Sequence, residues 1–80
     1  MNFARRIGPD PHRDGNTTSN LLGCPDIWEM DDGSFAVIGR RATNDLRHLL
    51  PASASCGTDE EIVILPRSTL VHARGDIPTA

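Results

Sequence analysis

The Asp32-Gly33 turn signal constrains the fold of this chain more than any other feature of its sequence. It lies between two short apolar runs, and a tight hairpin turn needs a positive φ angle that glycine adopts without strain. The pattern therefore predicts an antiparallel hairpin with strands at Asp26–Met30 and Ser34–Gly39, closed by the turn Asp31–Gly33. This hairpin holds the single tryptophan of the chain and one of its two phenylalanines.

The two strands of the hairpin differ in pattern. In the first, Trp28 and Met30 point to one face, and Ile27 and Glu29 point to the other, so the second face is half polar. This pattern is typical of an edge strand. The second contains Phe35–Ile38, which is apolar at every position and therefore typical of a central strand. A third strand is predicted at Ile62–Leu65, because this run is continuous and rich in β-branched residues.

Two short helices complete the predicted fold. The first begins at Thr43, where the Thr43 or Asn44 side chain can cap the helix, and it stops before Pro51. The second covers Arg67–Arg74. The predicted order is β-β-α-β-α, an α+β fold with a small, three-stranded, mainly antiparallel sheet and two short helices.

The length of 80 residues allows one domain. Residues 1–23 are rich in proline, glycine and small polar residues and show no apolar periodicity, so they are predicted to form a flexible N-terminal tail. Residues 24–77 are predicted to form the single α+β domain. Residues 78–80 are predicted to be a short C-terminal tail.

Charge and hydropathy exclude several classes of protein. The net charge is −3, so bulk electrostatics disfavour direct binding to nucleic acid, although all eight basic residues are arginine. No apolar run approaches the length of a membrane span. The N-terminus lacks the apolar core of a secretory signal, so a cytoplasmic location is expected.

The residues that could carry chemistry show no catalytic or metal-binding spacing. The metal-capable side chains are those of Cys24, Cys56, His12, His48 and His72, and no two of them form the close pair that a zinc motif needs. A Cys24–Cys56 disulfide stays open as an alternative, since an antiparallel third strand would bring both to one end of the sheet. The sequence therefore predicts no metal, no cofactor and no enzymatic activity.

The amount of apolar strand surface points to an interface with another protein. Two strands are apolar on both faces, and two helices of about two turns each are too small to cover a three-stranded sheet on both sides. Uncovered residues of this kind usually mark an interaction site. The residues predicted to form it are Trp28, Met30, Phe35, Val37, Ile62 and Ile64.

A family resemblance adds to this interpretation. At Cys24-Pro-Asp-Ile-Trp-Glu-Met-Asp-Asp-Gly-Ser-Phe-Ala-Val-Ile-Gly and at Glu61-Ile-Val-Ile-Leu-Pro-Arg, the chain resembles small actinobacterial proteins encoded beside helix-turn-helix regulators in Streptomyces and its relatives. The BldB-like developmental regulators are among them. The resemblance covers roughly residues 24–77 and assigns no functional residue. It implies a non-enzymatic regulatory protein that acts through protein contacts, often as a dimer.

The expected function is therefore that of a regulatory interaction module without enzymatic activity. Its expected partner is a second copy of the chain, most simply in a dimer, or a transcriptional regulator. The alternative is a small thiol-redox or metal-binding protein that uses Cys24 and Cys56.

Overall fold

The computed structural model of the chain describes residues 1–11 and 24–79. Within these residues an antiparallel sheet has the strand order β1-β2-β3, and a second antiparallel sheet consists of β4 and β5. The elements, in chain order, are β1 (Phe3–Arg6), β2 (Asp26–Met30), β3 (Phe35–Ile38), β4 (Arg40–Arg41), α1 (Thr43–Leu46), a 3-10 turn (Arg47–Leu49), β5 (Val63–Ile64), α2 (Arg67–Ala73) and a second 3-10 turn (Arg74–Asp76). The predicted α+β class, with a three-stranded antiparallel sheet and two short helices, is confirmed.

The hairpin of β2 and β3 forms where the turn signal predicts it. Gly33 has a φ angle of +90°, which is the left-handed conformation that glycine adopts without strain. The Met30 N–H donates to the Ser34 carbonyl oxygen at 2.8 Å, and the Gly33 N–H donates to the Met30 carbonyl oxygen at 3.1 Å. The Asp32 carboxylate accepts a hydrogen bond from the Ser34 N–H at 3.0 Å, so the turn is held by its own side chain.

The third strand of this sheet comes from the N-terminus, so the prediction of a flexible tail is wrong for Phe3–Arg6. This segment forms β1, which pairs antiparallel with β2, with Arg6 opposite Trp28 and Phe3 opposite Met30. Ladder hydrogen bonds and two arginine–carboxylate pairs to β2 offset the entropy that a free tail would keep. Residues 12–23 of the predicted tail lie outside the described residues.

Because β1 occupies one side of β2, the predicted places of the two hairpin strands are reversed. β2 is the central strand, and β3 is an edge strand of the sheet. The predicted strand at Ile62–Leu65 is also placed differently. Its ordered part, β5, pairs with β4 beyond Gly39, with Arg40 opposite Ile64.

The helix α1 begins without the predicted side-chain cap. Ala42 occupies the N-cap position, and no side chain caps the helix. The buried Thr43 hydroxyl instead accepts the Ile62 N–H at 2.8 Å and donates to the Glu61 carboxylate. Thr43 therefore ties the start of α1 to the segment that leads into β5.

The core lies between the sheet and α2. Ile7, Ile27 and Ala73 form a buried cluster, with the half-buried Leu65 packed against it. Gly8, with a φ angle of +85°, allows this close packing because a Cβ atom there would lie 3.2 Å from the Ala73 Cα atom. In the part of the chain that is described, no helix has the length and apolar character to cross a membrane.

Candidate protein-interaction surface

Half of the residues predicted to form an interface are exposed. The exposed fractions are 47 % for Phe35, 44 % for Val37 and 39 % for Ile64. Phe35 and Val37 lie opposite Glu29 and Ile27, so their side chains share the sheet face on which α2 packs. They extend that face beyond the core cluster, toward the outer edge of the sheet.

The other three predicted residues are less available to a partner. Met30 is buried, so its side chain packs within the protein and is not accessible to a partner. Trp28 and Ile62 are half-buried. Trp28 contacts two residues of β1: the Phe3 ring meets its indole edge-on at a centroid distance of 5.5 Å, and the Arg6 guanidinium carbon lies 4.5 Å from the indole centroid. The indole therefore serves mainly to hold β1 on the sheet.

The buried carboxylate of Asp26 organises the same region. Its oxygens accept hydrogen bonds from Arg6 Nε at 3.1 Å, from Arg6 Nη2 at 3.0 Å and from Trp28 Nε1 at 3.0 Å. The hydrogen bond to Asp26 is the main reason why the pKa of Arg6 lies above its usual value. A buried charge with this many partners is satisfied within the fold, so the cluster is structural.

The exposed apolar residues of the folded elements outnumber the buried ones. Among the described residues, the buried apolar side chains are those of Ile7, Ile27, Met30, Ala42 and Ala73, and no large side chain is fully buried. The large apolar side chains that are exposed include those of Phe3, Phe35, Val37, Ile38, Leu49, Val63, Ile64, Leu70, Val71 and Ile77. Ile38 is also half exposed, although it is not among the residues that the sequence predicts for the interface.

The backbone at the outer edge of β3 is open in the described part of the chain. In an antiparallel ladder, every second pair of opposite residues is joined by hydrogen bonds. Because the Met30 N–H bonds to Ser34, the next hydrogen-bonded positions of β3 are Ala36 and Ile38, which bond to β2. The N–H and C=O groups of Phe35 and Val37 therefore point away from β2. No described residue bonds to them.

The second sheet leaves this edge open as well. The Ala42 N–H donates to the Ile62 carbonyl oxygen at 2.9 Å. Because hydrogen-bonded positions alternate along a strand, the backbone groups of Arg40, like those of Ala42, point toward the β5 segment. Alternate residues of an extended segment direct their backbone groups to the same side. β2 and β5 thus lie along one side of the segment 35–42, and no described residue forms a backbone hydrogen bond on the other side.

The two thiols are in different surroundings. Cys24 lines an open groove of about 620 Å³ together with Pro25, Ile38, Ile64 and Pro66, among others. The Cys56 sulfur lies 3.9 Å from Arg47 Nη2 in the loop after α1. No disulfide joins the two cysteines.

The predicted metal-capable set is not assembled in the described residues. No group of three or more histidine, cysteine, aspartate or glutamate side chains there could hold a metal ion. His48 and His72 are exposed, and His12 lies outside the described residues. The arrangement of these side chains therefore adds nothing in favour of the metal-binding alternative.

Comparisons with protein-family models, with curated proteins and with solved structures give no significant match to this chain.

Proposed function

We propose that this protein is a small, non-enzymatic regulatory module that acts by binding another protein through its sheet. The observation that supports this proposal most is the exposure of large apolar side chains on β3, where Phe35, Val37 and Ile38 are all close to half exposed. Phe35 and Val37 lie on the α2 face of the sheet and Ile38 lies on the other face, so the edge at β3 is apolar on both sides. An apolar edge of this kind is typical of a contact surface between proteins.

The energetic argument rests on the small size of the core. Complete burial of a large apolar side chain is worth about 1.5–3 kcal/mol. Covering the half-exposed residues of β3 would therefore contribute several kcal/mol in total, which is comparable with the whole stability of a domain this small. Binding of a partner to this surface would stabilise the fold and would provide affinity at the same time.

Two kinds of partner fit the proposal: a second copy of the chain, or a transcriptional regulator. A helix-turn-helix regulator is the candidate that the expected resemblance of residues 24–77 would imply. Direct action on nucleic acid is disfavoured by the net charge of −3.

The proposal is tested by light scattering after size exclusion, and by calorimetric titration with a purified helix-turn-helix regulator encoded in the neighbourhood of this protein's gene. We expect a dimer, a complex with the regulator, or both. The variant Phe35→Ser should weaken the association. The matched control Leu49→Ser removes an exposed apolar side chain outside the sheet and should leave the association unchanged.

Two results would count against the proposal. One is a monomer at every accessible concentration that also fails to bind the regulator. The other is association that depends on the thiols instead of the sheet, so that Cys24→Ser/Cys56→Ser abolishes it while the β3 variant leaves it intact. The second result would support the thiol-redox or metal-binding alternative.

A further inference from the structure

We propose that the partner on the open edge is a second copy of this chain, and that the two β3 strands pair antiparallel about a two-fold axis at Ala36. This proposal rests on the proposed function and specifies its partner, surface and register. The pairing would join two three-stranded sheets into one sheet of six strands. Each copy contributes the same edge, so the assembly closes at two subunits.

The unbonded backbone groups fix which registers are allowed. Only Phe35 and Val37 direct their N–H and C=O groups outward from β3, so these residues must face each other across the contact. An axis at Ala36 places Phe35 opposite Val37 of the partner subunit, and Val37 opposite Phe35 of the partner subunit. This register makes four hydrogen bonds from groups that are otherwise unbonded within the described residues.

The side chains suit the same register. Phe35 and Val37 of each copy lie on the α2 face of the sheet, so the axis at Ala36 creates two aromatic–β-branched pairs across the contact. Pairs of this type are among the favourable cross-strand combinations. At the axis, Ala36 meets Ala36 of the partner subunit, and the small side chains allow close approach on the other face.

The charges that flank β3 select the antiparallel arrangement. Asp31 and Asp32 lie in the turn before the strand, and Arg40 and Arg41 follow it. With the axis at Ala36, the arginine pair of each subunit comes to the same end of the contact as the acidic turn of the partner subunit. A parallel pairing would place carboxylates beside carboxylates and guanidinium groups beside guanidinium groups, which is unfavourable.

These charged residues are available for such contacts. Arg41 is largely exposed, and its interaction with Glu61 spans 3.9 Å. Asp31 is exposed and accepts a 3.2 Å hydrogen bond from the Asn2 side chain. Exposed interactions of this length contribute little to the fold, so exchanging them for contacts between subunits costs little.

The first experiment blocks the edge without changing the hairpin. Val37→Pro removes an N–H that points away from β2, so the ladder within the protein keeps its bonds. Sedimentation equilibrium should show a dissociation constant of the dimer that is raised about tenfold or more, because two of the four bonds between subunits are lost. Val37→Thr keeps the N–H and a β-branched side chain, and we expect it to stay a dimer.

The second experiment uses charge reversal and does not depend on the proline variant being folded. Asp31→Arg alone and Arg41→Asp alone should each weaken the homodimer several-fold, since like charges then face each other at both ends. A mixture of the two variants should restore the dimer as a heterodimer, because every contact between them again joins opposite charges. Differential labelling of the two variants identifies the heterodimer.

The outcomes of these experiments distinguish the pairing of β3 edges from the proposed function as a protein-binding module. A dimer that Val37→Pro and both charge reversals leave unchanged overturns the edge pairing, while the proposed function stands on another surface. A weaker homodimer for each reversal without rescue in the mixture overturns the antiparallel register. A wild-type monomer at all concentrations overturns the pairing, and binding to a regulator then decides whether the function survives.

Discussion

The two edges of the three-stranded sheet differ in charge and in regularity, two features that control strand pairing. β1 carries Arg5 and Arg6, and its register shifts between Phe3 and Arg5 in a bulge. β3 is short, regular and apolar, and it carries no charge and no proline. Charged residues and bulges are the devices with which proteins prevent edge-to-edge association.

The difference shows that only one edge is protected against pairing. The arginine residues of β1 do more than solvate the edge, because each is bound to a carboxylate of β2: Arg5 Nη2 lies 2.9 Å from Glu29, and Arg6 Nη2 lies 3.0 Å from Asp26. On β3 no comparable group intervenes between the backbone and a partner. In the proposed dimer, the protected edge would limit growth to two chains, and the open edge would supply the contact.

The largest expected effect comes from detaching the protected edge. Asp26→Ala leaves the Arg6 guanidinium and the Trp28 N–H without their buried acceptor, so we expect the free energy of unfolding to fall by about 2–4 kcal/mol. Urea unfolding, followed by tryptophan fluorescence, measures this loss. Release of β1 should also uncover β2 and increase aggregation.

The matched control is the more exposed ion pair of the same strand. Glu29→Ala removes the partner of Arg5, and both side chains of this pair are partly solvated, so the loss should stay below about 1 kcal/mol. Equal losses for Asp26→Ala and Glu29→Ala would show that the Asp26 cluster does not hold β1 in place.

An intermediate effect is expected where the end of β1 meets α2. Gly8→Ala introduces a side chain at a positive φ angle and 3.2 Å from the Ala73 backbone, so it should destabilise the protein by about 1–3 kcal/mol. Gly75→Ala, in the last 3-10 turn, meets no atom within 4 Å and has no positive φ angle, so its stability should be unchanged or slightly raised. Thermal unfolding of both variants tests the close contact. A neutral Gly8→Ala would contradict it.

The smallest effect concerns the turn that leads into the open edge. The Asp32 carboxylate accepts hydrogen bonds from Ser34, and these bonds lower the pKa of Asp32 below its usual value of 3.8. A lowered pKa in the folded state stabilises the protein above pH 3.8, and this stabilisation is lost as the pH falls through the lower, folded-state pKa.

Asp32→Asn provides the reference for this titration, because asparagine does not ionise. The difference in midpoint temperature between the wild type and Asp32→Asn should be constant near neutral pH and should shrink in acid below pH 3.8. A difference that is independent of pH over this range would show that the carboxylate does not hold the turn.

The local features of the hairpin could be predicted from the sequence, whereas its neighbours could not. The Asp-Gly signal determines the turn and the limits of β2, because both depend on residues close in sequence. The position of β1 depends on pairing over more than twenty residues, and polar residues there resemble those of a tail. The run Phe3–Ile7 shows neither apolar/polar alternation nor a continuous apolar stretch, so its sequence carries no clear strand signal.

The position of β1 also changes how the candidate surface is interpreted. The apolar pattern alone predicts that β3 lies at the centre of the sheet and that Trp28 and Met30 belong to an interface. With β1 in place, Trp28 and Met30 are largely covered, and β3 becomes the edge. Phe35 and Val37 are exposed as predicted, and they matter for two reasons: their apolar side chains are accessible, and their backbone N–H and C=O groups point away from β2.

Amide hydrogen exchange at β3, measured at a series of protein concentrations, tests the central claim most directly. The N–H groups of Ala36 and Ile38 should be protected at every concentration because they bond to β2. Those of Phe35 and Val37 should exchange rapidly in dilute protein and become protected as dimers form. Rapid exchange of the Phe35 and Val37 N–H groups at concentrations where the protein is fully dimeric would contradict the pairing of β3 edges.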